Sequence, residues 1–163
     1  MELHPQGKLF LKLINNPIKL KLFLLSKLPL AFIAGVKLEN ANPSQAIASI
    51  SYKWINQNPF RSIYFAALSM AAELATGVLA MMHLYNRNPS VSMLVIANTA
   101  EFYKKASGKI YFTCSEGINF KNAIEQCVAT NEAQTITVSS IGKNENGEII
   151  AKFTFTWSFK AKK

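Results

Sequence analysis

Alternation of apolar and polar positions is clearest near the C-terminus. There Phe153, Phe155, Trp157 and Phe159 take every second position, and Lys152, Thr154, Thr156, Ser158 and Lys160 fill the gaps. A period of two puts the aromatics on one face of a strand and the polar set on the other, which predicts a half-buried strand over 148–160. Weaker alternation predicts strands over 92–105, 108–115 and 133–142, with turns at Ser107-Gly108 and Asn144–Gly147. Residues 36–40 read as a short extended segment. Residues 45–54 read as a strand with Ala48, Ile50, Tyr52 and Trp54 on one face. Residues 117–129 admit a short helix, an irregular path or a strand; the reading taken is a strand over 120–129 continuing from 108–115 through a bend.

Between Ser62 and His83 the period changes. The run SIYFAALSMAAELATGVLAMMH is rich in Ala, Leu and Met, has no Pro, and follows a loop at Asn56–Pro59. Those residues favour a helix, and one apolar nearly all round must be buried. Upstream, residues 1–35 read as a helical extension. Asn15-Asn16-Pro17 ends one helix and starts another, with Pro17 at the first helical position, and Gly35 stops the second. The expected fold class is α+β in one domain, 1–163: an antiparallel sheet wrapped around one long central helix, with N-terminal helices. That is the architecture of a hotdog fold.

Composition narrows the partners. The net charge is +9, yet Arg61 and Arg87 are the only arginines and no nucleic-acid-binding motif is present, so no nucleic-acid partner is expected. Cys114 and Cys127 lack the second pair or nearby His that a metal site needs, which leaves them as core residues in a reducing, cytoplasmic setting. No metal and no cofactor are expected. Residues 17–35 are hydrophobic but interrupted by Lys19, Lys21, Lys27 and Pro29, so no stable membrane insertion is expected. The segment reads as an amphipathic helix packed on the domain, with interfacial membrane contact as the alternative.

Glu73 is the one charged side chain inside the apolar helix. A buried carboxylate is costly unless something stabilises it. Residues three, four and seven positions away share its face, giving a stripe of small and polar residues: Ser62, Ala66, Ser69, Glu73, Thr76, Gly77 and Ala80. Such a stripe admits a close backbone or a ligand. Two readings stand on these grounds: a desolvated general base or nucleophile, or a structural carboxylate tied across an interface.

The run Asn58-Pro59-Phe60-Arg61-Ser62-Ile63-Tyr64-Phe65-Ala66, followed by Glu73, resembles the signature of hotdog acyl-CoA thioesterases of the phenylacetate-pathway type. Those enzymes place His-Gly-Gly six residues after an Asn and an acid nine residues after the His. Asn58, Tyr64 and Glu73 fall at those positions, with Tyr64-Phe65-Ala66 standing where the family has His-Gly-Gly. The Asn-Pro-Phe, Ala-Ala-Glu-Leu and Phe-Thr-Phe-Thr-Trp-Ser-Phe segments also resemble a narrower hotdog family of unknown function that includes the YiiD C-terminal domain.

The resemblance implies a thioesterase acting on an acyl-CoA or acyl-carrier thioester, as a homodimer or homotetramer. It implies catalytic roles for Glu73, Asn58 and Tyr64, with the amides of Phe65 or Ala66 polarising the thioester carbonyl. Ser69, on the same helix face, is a substrate-binding candidate together with Phe65 and Ala66. Lys104 and Lys105, near the Ser107-Gly108 turn, are candidates for the phosphates of coenzyme A. The alternative is a non-catalytic acyl- or lipid-binding hotdog protein. Dehydratase chemistry, which pairs His with a carboxylate, is disfavoured because His83 lies ten residues from Glu73, roughly 15 Å along a helix.

Overall fold

The computed structural model describes residues 2–162. Three N-terminal helices, α1 (Pro5–Ile14), α2 (Pro17–Lys27) and α3 (Pro29–Ala34), lead into strands β1 (Lys37–Ala41) and β2 (Ala46–Ser51). A single 3-10 turn, Trp54–Asn56, precedes the long helix α4 (Phe65–Leu84). Strands β3 (Val91–Phe102) and β4 (Lys109–Cys114), helix α5 (Gly117–Thr130), and strands β5 (Gln134–Asn144) and β6 (Ile149–Ala161) complete the chain.

All six strands join one antiparallel sheet in the order β1-β2-β4-β5-β6-β3. The sheet curls around α4, which packs on β1, β2, β4, β5 and β6. This is the hotdog arrangement. β6 alternates as expected, with Phe153, Phe155, Trp157 and Phe159 turned into the core. On the side away from the sheet, α1 and α3 pack on α4, and α5 closes another flank. Fourteen of the twenty residues of α4 are buried, so most of this largely apolar helix is covered, and Ala66, Ser69, Met70, Glu73 and Met81 along one side are half-buried. By length and composition α4 is the one helix among the described residues that could cross a membrane, but it forms the core of the domain.

The sheet keeps a long free edge. Among the described residues β3 pairs with β6 alone and leaves its other side open over twelve residues. Leu94, Ile96 and Phe102 on it are 65%, 53% and 51% exposed. A long apolar edge of this kind is a template for pairing with another chain.

Three expectations need correction. Residues 117–129 form helix α5, not a bent strand. Its buried side chains Phe120, Ala123, Ile124 and Cys127 have the i, i+3, i+4, i+7 spacing of one helical face, with Gly117 buried one turn before, and this periodicity outweighs the pull of the neighbouring strand. Trp54 leaves the strand face and is 80% exposed, because β2 ends at Ser51 and the chain turns. The second N-terminal helix is broken at Leu28, whose φ of −136° and ψ of 57° leave the helical region. Pro29 imposes this by crowding the residue before it, and it then begins α3.

The N-terminal helices are held closely. A Cβ on Gly7 would lie 2.1 Å from the carbonyl oxygen of Met82, so α1 meets α4 backbone to side-chain-free backbone. Gly7→Ala is therefore expected to push α1 off α4 and cost about 1–3 kcal/mol, as overpacking does. Urea unfolding checks this against Lys12→Ala, an exposed change on the same helix that should leave the midpoint unmoved.

Candidate active site

The loop before α4 is organised by Asn58. Its Oδ1 accepts from the N–H groups of Phe60 (3.0 Å) and Ser62 (3.2 Å), and its Nδ2 donates to Ser62 Oγ (3.0 Å). A bridge between Gln57 and Ile63 closes the loop. The N–H of Ile63 then donates to Ala106 O and that of Tyr64 to Asn56 O, which pins the first turn of the helix.

Tyr64 is the N-cap, and its side chain makes no capping bond. Ala67 and Leu68 both donate to Tyr64 O. The N–H groups of Phe65 and Ala66 find no acceptor among the described residues. Unmatched amides at the positive end of a helix dipole suit an oxygen carrying negative charge.

This helix start opens on a cavity of about 670 Å³ lined by Asn58, Phe60, Tyr64, Phe65, Lys104 and Lys105, among others. The Tyr64 and Phe65 rings meet edge to face at 4.8 Å and are about half exposed. Lys104 pairs with Glu148 across the cavity rim, whereas Lys105 makes no ion pair among the described residues.

Glu73 lies elsewhere. It lines a second cavity, of about 520 Å³, together with Leu74, Gly77, Val78 and Met81 of α4 and Met93 of β3. Phe10, Phe23, Lys27 and Leu28 of the N-terminal segment form the opposite wall. Burial alone pushes the Glu73 carboxyl up to about 7, and no cation or donor contributes. Gly77 leaves room for it, since a Cβ there would stand 3.1 Å from Glu73 Oε1. Thr76 holds the same turn: its hydroxyl donates to Glu73 O at 2.9 Å and accepts from Trp157 Nε1 at 3.1 Å.

The small-residue stripe is thus divided. Ser62 precedes the helix, and Thr76 and Ala80 are wholly buried, with Thr76 meeting Trp157 of β6. Ala66 and Ser69 are half-buried on the stretch between the two cavities and line neither.

The structure gathers Asn58, Tyr64, Phe65, Lys104 and Lys105 at one site and leaves Glu73 at another. Eight residues of helix separate Phe65 from Glu73, roughly 12 Å at 1.5 Å per residue. Among the described residues no imidazole joins Glu73. His83 is near the far end of α4, buried, with burial lowering its pKa to about 4, and its Nε2 has no partner among the described residues. His4 contacts the carbonyl of His83 through Nε2 at 3.1 Å. Among the described residues no cluster of three His, Cys, Asp or Glu is placed to hold a metal. Sequence reasoning missed Phe10, Phe23, Lys27 and Leu28. Nothing local to those residues signals that they face a carboxylate more than forty positions on.

The raised pKa carries a sign for stability. At pH 4 the Glu73 carboxyl is protonated in both folded and unfolded chains. As pH rises the unfolded carboxyl ionises first, near 4.5, so stability falls until about pH 7 and then levels off. The loss amounts to roughly 3 kcal/mol at 1.36 kcal/mol per pKa unit. Glu73→Gln is expected to be more stable than wild type by about that much at pH 8 and equal to it at pH 4, read from urea unfolding midpoints. His83 has the opposite slope, since its lowered pKa removes stability as pH falls, but it is present in both proteins and cancels in the difference.

The same architecture recurs in known proteins. A protein of unknown function from Pseudomonas aeruginosa, named a probable thioesterase, superposes with a TM-score of 0.76 at 19% identity, covering 90% of this chain and 97% of its own. A protein of unknown function from Chlorobaculum tepidum gives 0.75 at 16% identity, covering 89% and 94%. A thioesterase from Haemophilus influenzae gives 0.64 at 11% identity, covering 90% and 91%. At such identities the likeness is one of fold. No curated protein matches the sequence. Residues 19–159, most of the chain, match the family described as a domain of unknown function, DUF4442, and the chain belongs to that family.

Proposed function

We propose that the protein is a thioesterase that hydrolyses an acyl thioester of coenzyme A or an acyl carrier, with Glu73 as general base. The observation that carries this reading is a carboxyl with a pKa near 7 set in the wall of a largely apolar cavity. A general base works best when its pKa lies near the working pH. The apolar wall from Phe10, Phe23, Val78 and Met81 suits an acyl chain. The hotdog fold shared with thioesterases supports the same reading.

Glu73 and the uncapped amides of Phe65 and Ala66 are too far apart in one chain to act on one carbonyl. A base and an oxyanion donor must each lie about 3 Å from the reacting atoms. The site is therefore built from two copies. The open edge of β3, rich in exposed apolar residues, supplies the place for a second copy to pair, in a homodimer or a tetramer of such dimers. In that assembly Glu73 of one protomer faces the helix start of the other.

The chemistry then balances simply. Glu73 takes a proton from water as the water oxygen bonds to the thioester carbon. The carbonyl oxygen gathers charge against the N–H groups of Phe65 and Ala66. The C–S bond breaks, and the proton held by Glu73 passes to the departing thiolate, giving a carboxylic acid and a thiol. Asn58 shapes the loop that aims the helix start, and Tyr64 offers a phenol at the mouth of that cavity. Lys105, with Lys104, meets the phosphates of the carrier at the rim. Two buried, free cysteines accord with work in the reducing cytoplasm.

The non-catalytic reading, an acyl-binding protein, draws support from one feature: Tyr64 and Phe65 stand where the resembling enzymes have His and Gly. Hydrolysis of an acyl-CoA panel from short to long chains, followed by thiol release, separates the two. Wild type is expected to turn over with kcat/KM rising through an apparent pKa near 7, and Glu73→Gln to lose 10²-fold or more of kcat. Tight acyl-CoA binding without turnover would establish the binding protein instead. Lys105→Glu is expected to raise KM for acyl-CoA several-fold while leaving kcat within twofold; an unchanged KM would remove the lysine from the carrier site.

A further inference from the structure

Helix α2 carries apolar residues on two opposite sides. Leu20 and Leu24 point into the domain, 9% and 3% exposed. Ile18, Leu22 and Leu25 form a second stripe on the far side, 71%, 62% and 50% exposed. At 3.6 residues per turn these three lie within a narrow arc opposite Leu20 and Leu24. Lys19 falls on one side of that arc and Lys21 on the other, both exposed. After the break at Leu28, α3 adds exposed apolar residues of its own, Leu30 at 65% and Ile33 at 57%.

Isolated exposed leucines are ordinary, but a continuous apolar stripe flanked by cations is not. The packing of the domain does not need this stripe, because α2 is already held by its inner face. Charge indicates what covers it. α2 and α3 contain three lysines, Lys19, Lys21 and Lys27, and no acidic residue. A second copy meeting the stripe about a two-fold axis would bring these lysines onto their own kind. A bilayer with anionic headgroups offers the complement to both features: acyl chains for the stripe and negative charge for the lysines.

We propose that the outer face of α2 and α3 is a peripheral docking surface for anionic membranes, lying in the interface plane with no span inserted. The inner edge of α2 supplies Phe23 and Lys27 to the Glu73 cavity, so docking holds that cavity beside the lipid boundary. The proposal does not depend on Glu73 being catalytic.

The test is co-sedimentation of the full chain with phosphatidylglycerol/phosphatidylcholine vesicles and with pure phosphatidylcholine vesicles, at low and high salt. Wild type is expected to bind the anionic vesicles at least tenfold more strongly than the zwitterionic ones, with binding weakened by salt. Leu22→Ser with Leu25→Ser, and separately Lys19→Glu with Lys21→Glu, are each expected to reduce partitioning at least tenfold. All four substituted residues are exposed, so an unchanged thermal melt is expected and shows that folding is retained. Absence of wild-type binding to anionic vesicles would overturn the proposal, as would binding that survives both double variants. A change of oligomeric state in the leucine variant, without vesicle binding by wild type, would overturn it in favour of a second copy of this chain on that face.

Discussion

Helix α4 is apolar nearly all round, and the arrangement of the rest of the chain depends on that. In water a twenty-residue helix of this composition would expose several large apolar side chains, each worth about 1.5–3 kcal/mol when buried. The sheet covers one side, α5 a flank, and α1 and α3 pack against the helix away from the sheet. A sheet of six strands alone leaves part of α4 open, which is why the N-terminal helices belong to the core rather than hanging beside it. Gly7 on Met82 and the Phe10 ring, wholly buried, show how closely that cover fits.

Covering such a helix forces a decision on its one carboxylate. Glu73 is neither paired nor exposed; it lines the cavity left between α2, α4 and the start of β3. The N-terminal helices therefore have two roles at once. They bury the core helix, and by helping to bury Glu73 they bring its pKa into the range where it can both take and give a proton. A purely structural carboxylate would have a cation or several amides around it, which lower a pKa. Glu73 has none of these contributing, and Gly77 beside it keeps space open.

Much of the fold was legible in the sequence because the signals were periodic. The Phe-x-Phe-x-Trp-x-Phe run of β6 and the long apolar run of α4 each allow one reading only. α5 was misread although Phe120, Ala123, Ile124 and Cys127 carry helical spacing, because the apolar run of β4 ends just before it and invited continuation. The site was legible in part. Glu73 stood out as a lone charge in an apolar run. That its cavity wall comes from Phe10 and Phe23, and that Asn58 spends its side chain on its own loop, depend on tertiary contacts that no local pattern encodes. The division of the small-residue stripe between cavity and sheet turns on the rotation of α4 against Trp157, which is likewise set by packing.

The proposed chemistry rests on burial alone raising the Glu73 pKa to near neutrality. Titration of its side-chain carboxyl by ¹³C NMR tests this most directly, with the resonance assigned by its loss in Glu73→Gln. A midpoint near 7 is expected. A midpoint at the ordinary glutamate value of about 4.3 would contradict it. Glu73 would then be solvated or paired, and neither the desolvated carboxyl nor the general base would stand.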